Sequence, residues 1–134
     1  MNYLLDTNIC VLLIRQKSPQ VLTKLTSHPI TDIAISAITV AELQYGVQKS
    51  SRPAQNQQAL DQFLLPLSII PFDENDAVSY GQIRTNLEVQ GLPIGALDTL
   101  IATQAVQYSL ILVTNNVREF ARIPGLVIED WTKL

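Results

Sequence analysis

A chain of 134 residues with a net charge of −3 is long enough for one domain that buries roughly two-thirds of its unfolded surface. Hydrophobic residues make up 47% and charged ones only 16%, against a usual charged share of about 25%; a surface so short of charge suits an oligomer or a partner-bound protein. The acidic balance excludes binding of nucleic acid by bulk electrostatics alone, though not contact with phosphate through a metal held by carboxylates.

The first segment, "YLL", predicts a short buried strand, and Asp6 interrupts the apolar run directly after it. That charge keeps the run far below the ~20 residues of a membrane span. No basic stretch precedes it, so a signal peptide is not expected either. The pattern next predicts a helix from Ile9 to Arg15 and a second one over Val21–Leu25 after Pro19. Cys10, the lone cysteine, leaves no intramolecular disulfide, fits a reducing cytoplasm and reads as a small buried hydrophobe. "DIAIS" reads as a strand and "ITVAELQYGV" as a helix ended by the polar "KSSRPAQNQQ". "ALDQFLLPL" continues as helix to Pro66 and "SIIPF" as a strand. "DEND" is a helix start, with Asp73, Glu74 and Asp76 as caps and solvated charge. The helix it opens runs from about Asn75 to Gln90. "LPIGA" is a loop, "LDTLIATQAVQYS" an apolar helix and "LILVT" a fully buried strand. "NNVREFARIPG" reads as loop and short helix, and "LVIED" as a last strand. Neither a repeat nor a linker divides the chain, so residues 1–134 are read as one domain.

Short apolar strands alternating with helices predict an α/β fold, a mainly parallel sheet with helices on both faces. Ligands of such sheets bind outside the carboxyl ends of the strands. Asp6 stands at one such end, and Thr114, Asn115 and Asn116 at another. Glu42 and Asp98 lie near the starts of helices. Carboxylates gathered there repel one another and call for a cation. Oxygen ligands without His or Cys select Mg2+ or Mn2+, and the chemistry such ions support is phosphate-ester hydrolysis.

Each acid also has a purely structural reading. Asp6 before "TNI" suits a helix N-cap. "TVAE", from Thr39 to Glu42, fits a capping box. Asp98 suits the positive end of a helix dipole, although its surroundings are almost free of charge. Glu119 reads equally as a solvated helix residue, and Glu88 pairs with Arg84 one helical turn earlier. His28 is the single histidine and supports no triad, and neither a G-x-S-x-G elbow nor a P-loop occurs. A noncatalytic RNA- or protein-binding module of the same fold is the rival reading. A phosphatase acting on small molecules is another. For that enzyme class a D-x-D pair is expected, and Asn8 stands where its second Asp belongs.

Four blocks, "YLLDTNI", "ISAITVAELQYGV", "GLPIGALDTLIATQA" and "LVTNNVREFARIPGL", in this order over nearly the whole chain, resemble PIN-domain proteins. More narrowly they resemble VapC-type toxins of type II toxin–antitoxin modules. The resemblance implies a three-layer α/β/α fold, usually a homodimer, and a Mg2+-dependent endoribonuclease of the cytoplasm. It implies an RNA substrate, tRNA in several relatives, and a small VapB-like antitoxin that inhibits the active site and often binds DNA. DNA contact would therefore be indirect. Asp6, Glu42 and Asp98 match the family's core acids. Many members carry an Asp two residues after the Thr of the last block, where this chain has Asn116; Glu119 falls where related members have a further acid. Thr7, Thr114 and Asn116 are expected to fix carboxylates or substrate, and Arg84, Arg118 and Arg122 are the nearest cations for RNA.

Overall fold

Successive side chains of a strand point to opposite faces, and in this chain both faces are apolar. Leu4, Ala34 and Leu112 face one way; Leu5, Ile33, Ile35 and Val113 face the other. Strands buried on both sides need helices on both sides. The computed structural model describes residues 1–133. Its strands are β1 (Tyr3–Leu5), β2 (Ile33–Ser36), β3 (Ser68–Ile70), β4 (Ile111–Val113) and β5 (Ile128–Glu129). They form one parallel sheet in the order β3-β2-β1-β4-β5.

Four helices precede β3: α1 (Thr7–Ile14), α2 (Pro19–Thr26), α3 (Ala37–Gln48) and α4 (Pro53–Leu64). They supply Ile9, Cys10, Val21, Leu43, Val47 and Leu60 to the layer over Leu5, Ile33, Ile35 and Val113. After β3 come α5 (Glu74–Val89), α6 (Ala96–Gln107) and the short α7 (Val117–Phe120). Leu87, Ile101, Ala102, Ala105 and Phe120 cover Leu4, Ala34 and Leu112 on the opposite face. The expected α/β/α arrangement is the one observed.

Several boundaries differ from the sequence reading, each for a local reason. Helix α1 begins at Thr7 because Asp6 caps it, accepting from the Ile9 N–H at 2.9 Å. Helix α3 begins at Ala37, capped by Ser36, whose hydroxyl accepts from the Ile38 N–H at 3.0 Å. Thr39 therefore lies inside the helix, and the capping box from Thr39 to Glu42 does not form. The polar stretch after α3 is not all terminator. Pro53 occupies the first turn of a separate helix, where its missing N–H costs nothing. The strands read as "SIIPF" and "LVIED" shorten to Ser68–Ile70 and Ile128–Glu129. Asp76 is fully buried rather than solvated. Its carboxylate closes a capping box with Asp73 and accepts from the Gln104 amide at 3.1 Å. Among the described residues no helix is long and apolar enough to cross a membrane.

Candidate active site

The sheet order reverses direction between β1 and β4, and the crevice outside their carboxyl ends is where an α/β sheet binds ligands. Asp6 is the first residue past β1, and its N–H donates to the Val113 carbonyl of β4 at 3.0 Å. The residue is 3% exposed. The cap reading of Asp6 is observed, since its carboxylate caps α1, and its place directly after β1 puts it at the carboxyl end of that strand. Burial pushes its pKa from 3.8 up to about 6. The Asp98 and Glu42 charges add to the rise, while the Thr114 hydroxyl and the Ile9 N–H favour the ionised form. Thr114 is fully buried at the end of β4. Its oxygen accepts from the Asn116 N–H at 2.9 Å, which leaves its own proton for Asp6.

The other acids come from three different elements. Glu42 sits halfway along α3 and accepts a short hydrogen bond from the Thr7 hydroxyl, 2.6 Å. Thr7 also lies 3.3 Å from the hydroxyl of buried Thr39. A hydroxyl has one proton and an ionised carboxylate only accepts, so Thr39 donates to Thr7 and Thr7 to Glu42. Asp98 is the third residue of α6, a helix whose start at Gly95 has no side-chain cap. A carboxylate in that first turn faces the helix's unpaired N–H groups and positive end. Glu119 lies in α7, and the Asn116 side-chain amide donates to it at 3.1 Å. Asn116 thus bridges Glu119 and Thr114, and the Thr114 hydroxyl in turn favours the ionised form of Asp6.

The four acids share one electrostatic neighbourhood. Asp98 is half-buried and its pKa is raised, by burial first and then by the Glu42 and Glu119 charges. Among the described residues the only ion pair joins Arg84 to Glu88, 3.6 Å apart on the surface of α5. Among the described residues none of these acids is in an ion pair. They do not close on a single point: among the described residues no three acidic, His or Cys side chains come within joint ligating range. Oxygen-only donors, partly dehydrated and mutually repelling, are the donor set that suits a hard divalent cation.

The remaining candidates fall elsewhere. Arg84 is taken up by the Tyr80 hydroxyl at 2.8 Å and by Glu88. Arg122 donates to the Pro93 carbonyl at 2.9 Å and so ties α7 to the loop before Asp98. His28 stacks on Trp131, with Tyr3 beside both. Thr7 fixes a carboxylate as expected, but the part of Thr39 behind it is not legible in the sequence, because Thr39 and Glu42 at that spacing imitate a cap. Thr7 beside Asp6 was the available signal.

A family model described as PIN domain matches residues 3–126. The chain belongs to the PIN-domain family. It is 48% identical over 134 residues to the ribonuclease VapC2 of Rickettsia felis, covering 99% of this chain and 100% of that one. It is 40% identical over 131 residues to the tRNA(fMet)-specific endonuclease VapC of Salmonella typhimurium, covering 98% of each. A crystal structure of DNA-bound VapBC from Salmonella typhimurium superposes with a TM-score of 0.93 at 39% identity over 98% of each chain.

Proposed function

We propose that this chain is a metal-dependent endoribonuclease, the toxin of a toxin–antitoxin pair, and that Asp6, Glu42, Asp98 and Glu119 form its metal site. The observation that carries this reading is that acids from four separate elements act on one another's charge, Glu42 and Asp98 on Asp6, and Glu42 and Glu119 on Asp98, while none of them is in an ion pair among the described residues. The names of its relatives, a ribonuclease and a tRNA-specific endonuclease, support RNA as the substrate class and tRNA as the first candidate. Oxygen-only donors favour Mg2+, with Mn2+ as a substitute. When bound, such an ion activates water and neutralises charge on the phosphate.

The chain's own residues prepare that site. Thr114 and the Ile9 N–H hold Asp6 in its ionised form. Thr7, supported by Thr39, fixes the Glu42 carboxylate. Asn116, at the position where many members carry an acid, orients Glu119 instead, and Glu119 takes the fourth acidic role. An antitoxin protein is the expected partner, since the solved relatives are VapBC complexes. Contact with DNA runs through that partner, and the toxin is expected to act as a homodimer in the cytoplasm. The test is purified protein against bulk bacterial tRNA with Mg2+ or EDTA. Cleavage that needs the metal and disappears in Asp98→Asn is the expected result. Cleavage that persists in EDTA, or in the variant, removes the assignment.

A further inference from the structure

The helical turn of α7 continues to Arg122, whose N–H donates to the Glu119 carbonyl at 3.1 Å. An arginine three residues after a glutamate on such a turn has a carboxylate within reach, yet the two form no ion pair. The Arg122 guanidinium turns instead to a neutral acceptor 29 residues away in the chain, the Pro93 carbonyl, with Nη1 donating at 2.9 Å. Among the described residues this is the only hydrogen bond that joins the segment 116–123 to the stretch 90–107.

The loop that Arg122 reaches, "GLPIG", joins α5 to α6. Gly91 opens it with a φ of +70°, and the Leu92 N–H donates back to the Leu87 carbonyl at 2.9 Å. At the far end the Gly95 carbonyl takes the Thr99 hydroxyl at 2.8 Å. Between these holds Pro93 has no N–H to give, and its carbonyl is the atom that Arg122 binds. Where the loop stands decides where Asp98 stands. No side chain caps the start of α6, and a Cβ added to Gly95 would lie 3.9 Å from the Asp98 carboxylate. On the other side of the bond, the Asn116 amide holds Glu119 and Phe120 packs α7 into the core. One hydrogen bond therefore spans the gap between the elements that carry these two acids.

We propose that Arg122 is a positioning residue of the acidic site: its bond to Pro93 sets the distance between α7 and the start of α6, and so between Glu119 and Asp98. The inference rests on the metal-site reading. Two carboxylates without a cation repel one another, and the Glu119 charge is felt at Asp98. A divalent ion needs them close. A charge-assisted hydrogen bond is among the stronger ones, and this one spends its charge on a carbonyl rather than on either acid. Arg122 thus holds the two elements together and leaves the acids' charge for the ion.

The experiment uses full-length protein and two readouts. One is the Mg2+ concentration that gives half the maximal rise in melting temperature, and the other is the concentration that gives half-maximal cleavage of bulk bacterial tRNA. Arg122→Met keeps the apolar stem and loses the donors. It is expected to raise both midpoints roughly ten-fold, the low end for groups that orient ligands, with KM for tRNA near the parent's. Arg122→Lys can still donate to the Pro93 carbonyl and recovers most of the loss. In a Glu119→Gln background, Arg122→Met shifts the midpoints less than about two-fold, because the two changes act on one interaction. A general loosening of the fold would shift them equally in both backgrounds. Where Arg122→Met does not fold, Arg122→Gln carries the same cycle. Unchanged midpoints in Arg122→Met, beside a parent that responds to Mg2+, overturn the inference alone. So does an equal shift in both backgrounds. A loss confined to KM, with a flatter salt dependence of tRNA binding, overturns it too and makes Arg122 an RNA contact. A parent with no Mg2+ response in either readout removes the metal site, and this inference with it.

Discussion

Asp6 caps α1, and the proposed metal site asks something of it that conflicts energetically with its burial. As an N-cap it needs only an acceptor oxygen, but as a metal ligand it needs a charge, and burial makes that charge costly. Asp6→Asn keeps the acceptor for the Ile9 N–H and removes the buried charge. The variant is expected to lose cleavage entirely, yet to unfold at a higher temperature than the parent in EDTA at neutral pH. A drop in that melting temperature would show that the charge was not the cost. Glu42 raises the complementary question of what orients a carboxylate. The Thr7 hydroxyl holds it at 2.6 Å, and losing a group that orients a ligand typically costs 10- to 100-fold in metal affinity or activity. Thr7→Val should lower cleavage within about that range and raise the Mg2+ concentration needed, while Thr7→Ser restores both. Equal Mg2+ requirements for Thr7→Val and the parent argue against the relay. Asp6 is legible in the sequence as an acid directly after a strand, and Asp98 as an acid in the first turn of a helix with no other charge. Glu42 was ambiguous because a Thr three residues before a Glu has two physical uses, and only the tertiary position of Thr7 separates them.

At the scale of elements, local patterning predicted type well and extent less well. Strands of two to four residues carry too little pattern to fix their ends, so β3 and β5 came out shorter than their apolar runs. Helix α4 was misjudged at its start because Pro53 reads both as a breaker and as a first-turn residue. The buried contact between α5 and α6 was invisible for a different reason. Asp76 lies in an acidic helix start that looks solvated, and Gln104 sits on an apolar helix 28 residues away in the chain. Folded, Asp76 accepts both the Asp73 N–H and the Gln104 amide, and Gln104 also donates to the Pro71 carbonyl. Asp76→Ala removes a cap, worth about 1 kcal/mol, and strands part of a buried amide, worth about 1–3 kcal/mol. A loss of about 2–4 kcal/mol in denaturant unfolding is expected on those grounds, with cleavage preserved at temperatures where the variant stays folded. A loss under about 0.5 kcal/mol, the range of ordinary surface substitutions, would remove Asp76 from the link between the two helices.

For the molecule as a whole, the proposed metal site ties folding to pH through its buried acids. The folded chain holds the Asp6 proton more tightly than the unfolded chain does, with a pKa of about 6 against 3.8. In the metal-free protein the stability this group contributes is fully present below about pH 4 and is lost as pH rises through about 6. The difference is about two pKa units, or about 3 kcal/mol. Asp98 adds to the trend in the same direction, since its pKa is also raised. A divalent ion at the proposed site would oppose that slope. On the proposed reading it binds the ionised carboxylates of the folded state and not the unfolded chain, so its stabilisation should grow with its concentration over Kd and with the fraction of acid ionised. Three measurements follow on one sample. In EDTA, the melting temperature falls from pH 4.5 to pH 7. At saturating Mg2+ the fall shrinks or disappears, so the shift produced by the ion is larger at pH 7 than at pH 5. Cleavage rises with pH through about 6, as Asp6 loses its proton. Asp6→Asn flattens the EDTA profile and removes most of the Mg2+ shift. If the ion raised the melting temperature equally at both pH values, the carboxylates of the crevice would not be where it binds.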